Sequence, residues 1–234
     1  MTDLPRFQEA LLRWYRLHGR DLPWRRTTDP YRIFISEVML QQTQVERVVG
    51  YWHAFLQAFP TVQALAAADE AQVLAAWKGL GYNNRARYVH KTAKAVVELH
   101  GGQFPRTLEE LRSLPGIGRY TAGAIMSFAF CEDAPIVDTN VVRVLGRVFG
   151  PPKGDYPAAR ESALWDLAEA VLPPGQGFIF NQAIMDFGAT MCSHHHPACD
   201  ICPMAGFCAR RAAELAAQPR LFPPDLAQSP QPAA

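Results

Sequence analysis

Apolar residues recur at three- and four-residue intervals along almost the whole chain, the spacing that lines one face of an α-helix. This pattern predicts helices over residues 5–18, 30–46, 48–58, 70–77, 84–99, 107–112, 120–130, 139–149, 157–171 and 178–190. Between them stand stretches whose Pro and Gly stop a helix: LPWR, FPTV, GLGYNN, HGGQFP, LPGIG, FGPPKGDYP and LPPGQG. No segment alternates polar and apolar residues as a half-buried strand does, and no internal repeat is visible. The expected class is all-α. From about residue 217 the chain becomes rich in Pro, Ala and Gln, which predicts a disordered tail over 217–234.

Composition adds bounds. The 234 residues suffice for one large domain or two small ones with real cores. With 49% hydrophobic and 19% charged residues, the chain has the balance of an ordinary soluble protein. A net charge of +1 provides no global basic field, so any polyanion has to be held by a local patch. The first residues lack the basic-then-apolar order of a signal peptide, and no apolar run reaches membrane-spanning length. A cytoplasmic protein with no membrane partner is expected.

Two stretches carry chemistry. In SLPGIGRYTAGAI, residues 113–125, Gly116 and Gly118 precede a predicted helix. Glycine there permits positive φ or close backbone approach, and Leu114 and Ile117 are apolar enough to anchor the turn. The first N–H groups of the helix lack internal partners and carry the positive end of its dipole, so an anion fits there. The second stretch is the cysteine cluster. Of five cysteines, Cys192, Cys199, Cys202 and Cys208 crowd into one segment spaced C-x6-C-x2-C-x5-C. In a reducing compartment such crowding argues for metal over disulfides. Structural zinc sites pair two close-spaced knuckles, and here only Cys199 and Cys202 form one. A [4Fe–4S] cluster tolerates a continuous wrapping loop and is the better fit. His194, His195 and His196 are expected as solvent or phosphate contacts, and Cys131 as a core or surface thiol.

With these features in hand, LPGIGRYTAGAI, PIVDTNVVRVLGRV and the cysteine spacing together resemble the helix–hairpin–helix base-excision DNA glycosylases. LPWR, SEVMLQQTQVERV, GLGYNNRARYVHK, LHGGQFP and FNQAIMDFGATMC are similar to the MutY adenine glycosylase branch. The resemblance runs from about residue 6 to 210. It implies two helical lobes flanking a DNA-binding cleft. One lobe spans 23–136 and bears the hairpin; the other combines 1–22 with 137–216 and holds the cluster loop. It implies a monomer acting on mismatched double-stranded DNA. Full-length members of the branch carry a further C-terminal domain for 8-oxoguanine, where this sequence has its Pro- and Ala-rich tail, so weaker discrimination of the opposing base is expected.

The resemblance also assigns roles. Leu114, Gly116, Gly118, Arg119 and Thr121 fall in the hairpin that grips a DNA phosphate. Gln41, Gln42 and Tyr82 match positions that wedge into the duplex once the target base has been flipped out. Asn83 departs from the commoner GYY. Arg25 and Gln182 match positions lining the base pocket. Glu37 and Asp138 match two catalytic carboxylates. Ile33, Phe34 and Leu40 lie near Glu37 on a helix, so burial should raise its pKa and keep it available as a general acid towards adenine N7. Asp138 precedes a helix, where a side chain both caps and stays ionised to stabilise a sugar cation. Asn140 assists by hydrogen bonding. Bifunctional relatives have a lysine where this chain has Tyr120, which cannot form a Schiff base, so the backbone should stay intact. The implied activity is monofunctional excision of adenine opposite guanine or 8-oxoguanine. Thymine or uracil excision from G·T or G·U is the alternative, since those short relatives also carry tyrosine at this position.

Overall fold

The computed structural model describes residues 4–217. The described residues form helices and connecting loops without a strand. In chain order the α-helices are α1 (Leu4–His18), α2 (Pro30–Leu40), α3 (Val45–Ala58), α4 (Val62–Ala67), α5 (Glu70–Trp77) and α6 (Asn84–His100). They continue with α7 (Leu108–Ser113), α8 (Arg119–Ala129), α9 (Thr139–Val148), α10 (Pro157–Ala170), α11 (Gly177–Asp186) and α12 (Ala209–Ala217). A 3₁₀ turn at Pro23–Arg26 precedes α2, and a π-helical turn, Phe187–Met191, continues α11.

Two differences from the sequence pattern bear on function. The expected helix over 30–46 ends at Leu40, and Gln42 turns left-handed at φ 56° before α3 starts. The polar run Gln41–Gln44 is only about one helical turn long, and Val45, Val48 and Val49 resume helical spacing beyond it, so periodicity alone reads through the break. The short α4 and the amphipathic α12 carry too few periodic positions to register. The expected disordered tail lies outside the described residues except for Ala217, which ends α12.

Packing falls into two clusters. One gathers buried side chains from Leu22 to Ile136, with Trp77, Phe34, Phe55 and Met39 almost fully enclosed. The other joins Phe7 and Leu11 of α1 to Val144 and Leu145 of α9, Phe180 and Ile184 of α11, and Met204. Met185 packs against both. α2 is central to the first cluster: Tyr31, Ile33 to Val38 and Met39 are all buried, so it is enclosed on nearly every side. Its start is set by Pro30 and by Asp29, whose carboxylate accepts from the Tyr31 N–H at 2.9 Å.

Ionic and polar ties join the two clusters. Asp186, fully buried at the end of α11, pairs with Arg20 and Arg25 at 2.6 and 2.7 Å. Asp133 accepts from the Gly177 N–H at 2.9 Å, fixing the entry to α11. Arg119 lays its guanidinium 4.0 Å over the Trp165 ring of α10.

Candidate active site

Glu37 is the only acid on α2, and it is 4% exposed. Burial pushes its carboxyl pKa up to about 7. A hydrogen bond from the Tyr120 hydroxyl, 2.8 Å away, opposes the rise; the nearby charge of Asp138 adds to it. A carboxyl tuned this way holds its proton near neutral pH and can give it up there, as a general acid must. Burial also raises the Tyr120 phenol well above its ordinary range, so it acts as a donor to Glu37.

Asp138 approaches from the other side. It caps α9, one oxygen accepting from the Val141 N–H at 2.7 Å and the other from Asn140 Nδ2 at 2.8 Å. Asn140 Oδ1 in turn accepts from Arg143 at 2.7 Å. Gly188 of the π turn lets that segment lie against Asn140, since a Cβ there would stand 2.6 Å from the Asn140 Cβ. Glu37, Tyr120, Asp138 and Asn140 thus share one cleft of about 530 Å³, lined also by Gln41, Gln42 and Met185. That volume lies in the range of small-molecule pockets. A narrow extension of about 60 Å³ runs from Glu37 and Tyr120 towards Trp24, Arg25 and Gln182. Arg25 is pinned there by Asp186, and Gln182 accepts from the Tyr15 hydroxyl at 2.8 Å. Burial pushes the Asp186 carboxyl up, but its bonds from Arg25 and Arg20 outweigh that and hold it low.

The hairpin lies beside a second, open groove of about 530 Å³ lined by Gln41, Gln42, Tyr82, Asn84, Tyr88 and Gly116. Gly116 has φ +78°, and a Cβ there would stand 2.7 Å from the Tyr88 Cβ. Gly118 differs from expectation: its φ of −88° is open to any residue, and nothing lies within 4 Å of where its Cβ would be. It serves as the N-cap of α8 and leaves the first amides of that helix uncovered. Leu114 and Thr121 are buried, so any contact they offer a ligand runs through the backbone. Tyr82 is 63% exposed and, like Gln42, left-handed, with φ 49°.

All four clustered cysteines line one cavity, together with Arg147, Met204, Arg210 and Arg211. Arg147 donates to the carbonyls of Cys192 and Ser193 and lies 3.4 Å from the Cys192 sulfur; the Met204 N–H points at Cys202 Sγ at 3.4 Å. Cationic and N–H donors beside the sulfurs suit an anionic thiolate-bound group; among the described residues no three Cys, His, Asp or Glu side chains are gathered as a metal-binding group. His194, His195 and His196 project from the loop into solvent, and Cys131 is exposed. Asp186 and Arg85 carry no local signal in the sequence, because Asp186 bonds Arg20 and Arg25, and Arg85 reaches the 38–43 segment, far away along the chain.

Residues 35–170 match the HhH-GPD superfamily of base excision DNA repair proteins. The chain belongs to this superfamily. A rat (Rattus norvegicus) adenine DNA glycosylase is 43% identical to this HhH-GPD protein over 230 residues, covering 94% of the chain and 44% of the relative. A Mycolicibacterium smegmatis adenine DNA glycosylase is 44% identical over 198 residues, covering 83% and 66%. The chain spans less than two thirds of the length of these curated relatives. Among solved structures, a thermostable thymine-DNA glycosylase superposes with a TM-score of 0.84 at 33% identity, over 90% of this chain and 97% of that one. The HhH-GPD fold accounts for the all-helical architecture, and no described helix is long and apolar enough to cross a membrane.

Proposed function

We propose that this HhH-GPD protein is a monofunctional DNA glycosylase that excises adenine from a mismatch with guanine or 8-oxoguanine in double-stranded DNA, acting as a monomer. The observation that carries this reading is the cleft shared by Glu37, on α2 of the first core cluster, and Asp138, the cap of α9 of the second. A flipped adenine enters with its N7 towards Glu37, which donates its proton there. The C1′–N9 bond breaks with its electron pair passing to the base, and the Asp138 carboxylate stabilises the cationic sugar. Water then adds at C1′ and loses a proton. Tyr120 offers no amine for a Schiff base, so strand cleavage does not follow. Arg25 and Gln182 line the base pocket, with the 23–136 lobe and the 1–22 plus 137–216 lobe gripping the duplex between them. Gln41, Gln42 and Tyr82 fill the space the base leaves, while the amides around Gly116, Gly118, Arg119 and Thr121 hold a phosphate.

Cys192, Cys199, Cys202 and Cys208 would hold a [4Fe–4S] cluster, which would supply four metal–thiolate bonds that close residues 192–208 on themselves, while Arg143 and Arg147 of α9 bind that loop through its carbonyls. The cavity they share and its arginine lining support that assignment.

Adenine is favoured over thymine or uracil because the curated relatives at 43% and 44% identity are adenine DNA glycosylases, while the thymine-DNA glycosylase stands at 33%. A panel of A·G, A·8-oxoguanine, T·G and U·G duplexes, with and without alkali, tests the reading. Alkali-dependent breaks at adenine alone are expected. Breaks at thymine or uracil, or breaks without alkali, contradict it.

A further inference from the structure

The turn after α2 and the turn before α6 both line the open groove, and both contain a left-handed non-glycine residue, Gln42 and Tyr82. Such residues are strained and persist only where their surroundings over-determine them. One side chain makes contact with both turns. Arg85, in the first turn of α6, is 8% exposed. Its Nη1 donates to the carbonyls of Val38 at 3.0 Å, Met39 at 2.9 Å and also Gln41, where α2 runs out of internal partners. Its Nη2 donates to Thr43 Oγ1 at 3.1 Å, Leu80 O at 3.3 Å and Gly81 O at 3.1 Å. The guanidinium also lies 5.6 Å from the Trp77 ring centroid and 5.4 Å from that of Tyr82. Among the described residues no carboxylate pairs with it.

A buried cation solvated by backbone oxygens of two separate loops is an expensive way to make a helix cap. It is well suited to holding two loops in a fixed relation, because only a planar fork reaches acceptors on both sides at once. We propose that Arg85 is a positioning residue that locks the Gln41–Thr43 and Gly79–Tyr82 turns into one rigid wedge. The two turns then enter the duplex together as the target nucleotide leaves it. This rests on the glycosylase reading above. A wedge made of two independently moving loops would have to be ordered afresh at each extrusion, and that entropic cost falls on base flipping and spares resting contacts with undamaged DNA.

The test uses the full chain with Arg85→Lys, which keeps the charge and loses the fork. Three quantities are read: affinity for an undamaged duplex, the fluorescence rise of a 2-aminopurine placed at the target position, and the single-turnover excision rate at saturating enzyme. The expected result is an about tenfold slower excision and a reduced fluorescence rise, with undamaged-duplex affinity and the pH midpoint of excision unchanged. The unchanged midpoint would report an intact Glu37 environment, which general loosening would disturb. If Arg85→Lys does not fold, Thr43→Val, which removes one half-buried acceptor, should give a smaller loss of the same selective kind. An unaltered fluorescence rise, or a parallel fall in excision and undamaged-duplex affinity, overturns the proposal. Wild-type protein inactive on every mismatch overturns the glycosylase reading, and this inference with it.

Discussion

Glu37 shows how one residue's surroundings set both chemistry and stability. Its pKa of about 7 lies well above the ordinary 4.5, so the folded chain binds more protons than the unfolded chain between those values. Stability therefore falls as pH rises from about 4.5 to about 7, by about 3 kcal/mol, and levels off above that. Glu37→Gln removes the cost of burying the charge. Thermal melts should show the variant gaining on wild type as pH is raised from 5 to 8, while its excision falls by at least about 100-fold. The same protonation predicts that wild-type excision declines above about pH 7. The residue's apolar setting was legible in the sequence, since Ile33, Phe34 and Leu40 flank it at helical spacing. Its hydrogen bond from Tyr120 was not, because no local pattern links residues 83 positions apart.

At the scale of elements, the hairpin and α8 depend on one glycine more than the other. Gly116→Ala places a Cβ against Tyr88 in a left-handed turn, and should cost about 1–3 kcal/mol in a thermal or denaturant melt and weaken DNA binding. Gly118→Ala meets neither obstacle and should change stability by about 0.5 kcal/mol or less. The GxG spacing marked the turn but could not divide these roles, which depend on how Tyr88 of α6 packs across it. The break after Leu40 was hidden for a related reason. Arg85 from α6 satisfies the carbonyls at the end of α2, so tertiary contacts end the helix at a polar stretch short enough for one helical turn to span.

At the scale of the molecule, two cores are held in register by a buried ionic hinge. Asp186 anchors Arg20 and Arg25, joining the end of α11 to the segment that leads into α2. Asp186→Asn leaves two guanidinium groups without their counter-charge, and should destabilise the fold by about 3–5 kcal/mol and loosen the pocket around Arg25. A parallel fall in melting temperature and in excision is expected. The helical class was readable from periodicity, and the carboxylate pair from motifs carried by resemblance. The convergence of α2 and α9 on one cleft needed three dimensions, since 101 positions separate their acids (138 − 37).

In the proposed reaction Glu37 and Asp138 act on one extruded nucleotide. Single-turnover excision from an A·G duplex by wild type, Glu37→Gln and Asp138→Asn, with duplex affinity measured in parallel, tests it most directly. Both variants should bind the duplex as wild type does and release almost no adenine. Excision at the wild-type rate by either variant would contradict the account.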